Sequence, residues 1–291
     1  MREPTEGEPE PYAVRRPDPS LDSTSPTLHE RLVTRFPSLD FALKDLDGRT
    51  LWILFMAALL LVVFRKFGGS GFFEGRLRPE ALRHHTYLSV YGDFYWFSAS
   101  FFILGIAPLL LSWPRRLRPR RLGLGLGDWR FGLRWTGILL AVMIPLVAWV
   151  SRWPAFWRYY PINDVLATQV TRWAAGLPGV PESFPSHFVA YELLYAVYFL
   201  GWEFFFRGYL TFGLHDRLGI HGVFAANIPF ALLHIGKPLP EVLGSIVAGV
   251  ALGIFALRAR SFWYCFIVHA LVAWSMDAWA ILRRVQNLTD S

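Results

Sequence analysis

Read for periodicity, the chain falls into long uncharged apolar blocks without strand-like alternation, at 51–64, 94–113, 135–150, 242–257 and 261–276. A hydrocarbon core of roughly 30 Å takes about 20 apolar residues in a helix, with about 17 as the lower end. Block 94–113 reaches that length alone. The shorter blocks reach it with Trp, Tyr, Ser and snorkelling Arg at their edges. Two further segments carry ionisable side chains: 186–206 contains Glu192 and Glu203, and 220–234 ends in His234. The pattern predicts an all-α fold, a polytopic transmembrane helical bundle of about seven spans, multi-pass in the cell membrane.

Residues 1–36 hold six prolines, seven acidic and five basic residues and almost no clustered apolar side chains, which predicts a disordered tail. Residues 37–50 read as an amphipathic lead-in to the first span. The chain then divides into N-terminal transmembrane helices and loops over 37–180 and a core with the chemistry over 181–285. In the connection 151–186, Trp153, Trp157, Tyr159 and Tyr160 suit a headgroup layer. Gly236 and Pro238 read as a helix stop, and Pro240 as the first turn of the next helix. There is no internal repeat and no phosphate-cradling glycine loop, and no cleavable signal peptide is expected at the N-terminus.

Composition strengthens this picture. Hydrophobic residues make up 54% of the 291, too many for a soluble domain of this size. The net charge of +7 comes from basic residues between the apolar blocks, where anionic lipid headgroups lie, so membrane lipids and not nucleic acid are the expected partners. The densest cluster, Arg115, Arg116, Arg118, Arg120 and Arg121, places its loop in the cytoplasm, although loop 65–88 holds five basic residues as well. The single cysteine, Cys265, reads as a small core residue.

An ionised side chain in hydrocarbon costs about 2.5–3.5 kcal/mol even on lenient scales, so such residues point inward and have partners. The intramembrane set is Glu192, Glu203 and Arg207, then Asn227 and His234, then His269 and Asp277. Glu203 and Arg207 stand four apart, in the order that favours an ion pair on one helix face, and Glu192 lies three turns before Glu203. Asn227 and His234 share a stripe with Phe230, and His269, Ala273 and Asp277 follow a row of fours. Lys237 and Glu241 read as an interfacial lysine and a helix-dipole partner, and the phenylalanines at 204–206 as lipid-facing packing.

Hydrolysis inside a membrane needs a water, a base and oxyanion donors. Glu203 is the candidate base, His234 a second holder of the water, His269 and Asn227 candidate donors, and Asp277 a candidate orienter of His269. One Glu and two His also make a three-ligand set of the kind catalytic zinc uses, so zinc stays open as a cofactor; the zincin spacing is absent, which favours a glutamate mechanism.

These residues resemble motifs of a known family. The run Trp202-Glu203-Phe204-Phe205-Phe206-Arg207-Gly208 resembles the Glu-Glu-x-x-x-Arg motif of the CPBP (CAAX protease and bacteriocin-processing, Abi-type) intramembrane proteases. The run from Phe230 to His234 is similar to the second motif, Phe-x-x-x-His, and His269 to the His of the third, His-x-x-x-Asn. Trp202 stands where the family has its first Glu, and Ala273 where it has the Asn; the pattern resembles a Trp-Glu-Phe-Phe-Phe-Arg-Gly variant. The resemblance implies a membrane-embedded peptidase acting on a peptide or prenylated protein substrate, with Glu203, Arg207, His234 and His269 in the site. The other reading is a membrane scaffold or bacteriocin-immunity-type protein that keeps the fold without proteolysis.

Overall fold

The structure is a computed structural model that describes residues 28–35, 47–112 and 119–289. The described residues form helices and turns without a strand. In chain order the helices are α1 (Leu28–Arg35), α2 (Gly48–Phe67), α3 (Leu88–Ser112), α4 (Trp129–Val150), α5 (Pro154–Tyr159), α6 (Asp164–Ala174), α7 (Phe184–Leu218), α8 (His221–Leu232), α9 (Leu239–Ala259) and α10 (Trp263–Thr289). Six of these, α2, α3, α4, α7, α9 and α10, are long and apolar enough to cross a membrane.

The expected seventh span is α8, which has only 12 residues and carries Pro229 inside it. About 1.5 Å of rise per residue leaves it far short of the hydrocarbon thickness, so it packs as a half-length helix against α9. Most of the expected tail, the lead-in up to residue 46 and Arg115, Arg116 and Arg118 lie outside the described residues. Within the tail stretch, residues 28–35 form α1.

The outer surface is apolar. Phe55, Val62, Phe102, Leu110, Val142 and Val247 are each between 61% and 73% exposed, which suits lipid contact. Asp47 caps α2, its carboxylate accepting from the Arg49 and Thr50 amides and the Thr50 hydroxyl. Burial raises its pKa, but these hydrogen bonds and the Arg49 charge outweigh that and hold it below the usual carboxylate range. Arg49 also reaches Asp216 at 2.7 Å, tying the start of α2 to the end of α7. Helix α4 lies along α10 and contains Pro145.

Helices α3 and α7 cross where Gly105 meets Gly201. A Cβ on Gly201 would sit 2.8 Å from the Phe101 Cα, and one on Gly105 3.2 Å from the Gly201 Cα, so only glycine admits this backbone approach. Both helices widen to π turns nearby, at Phe101–Ile106 in α3 and Phe204–Phe212 in α7. The wide turn in α7 is buried along its whole length, which corrects the lipid-facing reading of Phe204, Phe205 and Phe206. Surrounded by α8, α9, α3 and the 119–122 turn, it has no side that meets lipid.

Gly201→Ala is therefore expected to destabilise the protein by about 1–3 kcal/mol through overpacking against backbone. Thermal unfolding in detergent checks this against Gly137→Ala, where an added Cβ has nothing within 4 Å.

Candidate active site

Glu203 occupies the last α-helical position of α7 before the wide turn and is 0% exposed. Its Oε1 accepts from His269 Nδ1 of α10 at 2.6 Å. Arg207 Nε lies 3.2 Å from Oε2, close enough for an ion pair but not aligned as a hydrogen bond. The guanidinium stacks 4.3 Å over the Phe230 ring of α8, so three helices meet at this carboxylate.

His234 lies just beyond α8, and its Nδ1 contacts the Phe230 carbonyl at 2.7 Å. Carboxylate and carbonyl oxygens only accept, so Nδ1 carries the proton in both rings. In the neutral form of each ring the remaining lone pair lies on Nε2. His269 packs on Phe199 at 4.3 Å and His234 on Phe230 at 4.7 Å, with Trp202 edge-on to His234 at 6.0 Å. These ring contacts leave neither imidazole free to swing.

Both histidines line one cavity of about 390 Å³, in the size range of small-molecule sites. Its walls come from α4, α7, α9 and α10 and are nearly all apolar, including Met143, Val147, Phe199, Leu252 and Val272. Glu203 and Arg207 do not line it. The carboxylate stands behind His269 and reaches the cavity only through that ring.

The structure thus brings Glu203, Arg207, His234 and His269 together and leaves two expected members outside. Asn227 Nδ2 donates to the Ile246 carbonyl of α9 at 3.0 Å, and its Oδ1 fills the space above Gly249, where a Cβ would come within 1.7 Å. Its donor is spent on clamping α8 to α9 and does not face the cavity. Asp277 is 2% exposed and faces Glu192 of α7 and the Tyr191 and Tyr195 rings instead of His269; two turns of α10 separate it from the imidazole that Glu203 holds.

Lys237 and Tyr160, which read as interfacial, and Glu241, which reads as a helix-dipole partner, meet at the cavity. Lys237 Nζ pairs with Glu241 Oε1 at 2.6 Å, and the Tyr160 hydroxyl donates to Glu241 Oε2. All three line the cavity, and Tyr160 is buried. The legible signal was the spacing: Lys237 follows His234 by three residues and precedes Glu241 by four.

The donor set does not fit a three-ligand zinc site. Glu203 spends Oε1 on the Nδ1 of His269, the position of an outer partner of a histidine, which leaves two imidazoles. Among the described residues no group of three His, Cys, Asp or Glu side chains is arranged to hold a metal ion.

Removing the charge of Arg207 would leave the Glu203 carboxylate buried with one fewer counter-charge. Arg207→Met is expected to cost about 3–5 kcal/mol, with the Glu203→Met, Arg207→Met double variant recovering part of it. Chemical unfolding of the three variants in detergent measures the coupling.

Residues 185–275 match the family model for type II CAAX prenyl endopeptidase Rce1-like proteins. No curated protein and no solved structure is similar enough to the chain to count as a match. The family match spans the segment from the start of α7 to α10 that supplies Glu203, Arg207, His234 and His269, and it supports a membrane peptidase in general terms.

Proposed function

We propose that this protein is an intramembrane endopeptidase of the CAAX prenyl protease-like type that hydrolyses peptide bonds of membrane-associated substrates. The observation that carries the reading is the hydrogen bond from His269 to the buried Glu203 at the wall of an apolar cavity that His234 also lines. A carboxylate that fixes one imidazole nitrogen leaves the other as an oriented base, the logic by which carboxylate–histidine pairs activate a nucleophile.

In this reading a water donates one hydrogen to His269 Nε2 and the other to His234 Nε2, with its oxygen directed at the scissile carbonyl. Attack transfers a proton to His269, and Glu203 stabilises the imidazolium. The imidazolium then protonates the leaving nitrogen as the C–N bond breaks, releasing a carboxylate and an amine. Arg207 keeps Glu203 ionised and oriented. The base is thus assigned to His269, and Glu203 acts through it as a positioning residue.

The test is cleavage of a prenylated CAAX peptide and a generic membrane peptide by the purified protein in detergent. Glu203→Gln, His269→Ala and His234→Ala are each expected to lower kcat by about 10²–10⁴-fold, the worth of a positioned acid–base group. The Glu203→Gln, His269→Ala pair should be no slower than its worse member, because the two act as a unit. Full cleavage by Glu203→Gln would overturn the reading. Loss of activity with chelator, restored by zinc, would replace the imidazole base with a metal. No cleavage by the unaltered chain would favour the scaffold or immunity-type reading, for which Trp202 and Ala273 at two motif positions are the specific grounds.

A further inference from the structure

Among the described residues, Lys237 is the only lysine or arginine in the cavity lining. Its backbone amide donates to the His234 carbonyl at 3.1 Å, so it sits on the same turn as one of the two imidazoles. The ammonium has three donors, and the contact with Glu241 Oε1 uses one. Glu241 is itself held on its other oxygen by Tyr160. The arrangement is a fixed carboxylate holding a cation at the edge of an apolar chamber, with donor capacity left over. A donor left unpaired in such surroundings is costly, so the remaining N–H groups suit a further oxygen acceptor.

An oxyanion attached to an apolar chain matches both parts of the site. Two sources have that chemistry, a peptide ending in a free α-carboxylate and a lipid headgroup phosphate. The neighbouring imidazoles favour the peptide. An extended chain advances about 3.3–3.6 Å per residue, so a peptide anchored at Lys237 offers His234 and His269 a bond only a few residues from its end. We propose that Lys237 is the subsite for the substrate's C-terminal carboxylate, and that Glu241, braced by Tyr160, holds the ammonium in position when no substrate is bound. The proposal rests on the endopeptidase reading and makes this residue a determinant of where along the substrate the cut falls.

The experiment compares two peptides of one sequence with an apolar C-terminal segment, one ending in the free acid and one in the amide. Both are used with the full-length protein in detergent, for cleavage by the unaltered chain and for equilibrium binding to Glu203→Gln. The acid should be preferred in kcat/KM and in binding by about tenfold or more, the scale of a charge-assisted hydrogen bond. Lys237→Gln should bring the acid-to-amide ratio close to one, and Lys237→Arg should keep part of the preference. The ratio is internal to each preparation, so a partly misfolded variant does not distort it.

Cleavage of both peptides with no preference would remove this subsite and leave the peptidase reading standing. Preferential binding of the acid without cleavage would keep the subsite and remove the peptidase reading. A ratio unchanged by Lys237→Gln, with binding that instead follows the phosphatidylglycerol content of the micelle, would assign Lys237 to a lipid headgroup and overturn the proposal. Neither binding nor cleavage would overturn both.

Discussion

A carboxylate with no exposed surface, surrounded by aromatic rings in the span region of a membrane protein, is tolerable only if its charge is answered on the spot. Around Glu203 that answer comes from Arg207, one helical turn later, and from His269 on the last helix. Much of the bundle serves this meeting. The Gly105–Gly201 crossing brings α3 close enough to back α7, the wide turn at Phe204–Phe212 turns Arg207 onto the Phe230 face, and Phe199 fixes the plane of His269. The Coulomb attraction that offsets desolvation of the ions also pins helices that have no hydrophobic drive to associate in lipid.

At position 202 the chain has Trp where the motif it resembles has its first Glu. Trp202 is buried against Phe206, Phe230 and His234 and contributes shape in place of that acid. With one carboxylate in the motif, and that one screened from the cavity by His269, the polar motif groups that line the cavity are the two imidazoles. Ala273, at the other altered position, adds to the apolar wall and offers no hydrogen bond.

The helical content, the membrane character and the four residues that converge were legible in the sequence. Uncharged runs of membrane length have few alternatives to helix, and an isolated charge inside one must find a partner. What the sequence left hidden was which helix faces meet. The period of 3.6 put His269 and Asp277 on one row and Glu192 on the side of Glu203, but a shared row does not name the neighbour across from it. Asp277 and Glu192 met each other, while His269 met Glu203. Asn227 was drawn to a backbone carbonyl of α9, a competitor that no side-chain pattern reveals. Lys237 and Tyr160 read as interfacial, and Glu241 as a helix-dipole partner, because long polar side chains near helix ends usually reach water; burial of Phe156 and Tyr160, in the segment packed against α10, turns that end of the bundle inward.

Pro145 has one more implication. It has no N–H to offer the carbonyl of Ala141, one turn earlier, so α4 lacks a rung in the stretch that forms one side of the chamber, between Met143 and Val147. A helix bends most readily where its ladder is interrupted. The wall that α4 contributes to the chamber is therefore hinged at its own middle, where a small bend would alter the width of the space between Met143 and Val147 and the facing helices.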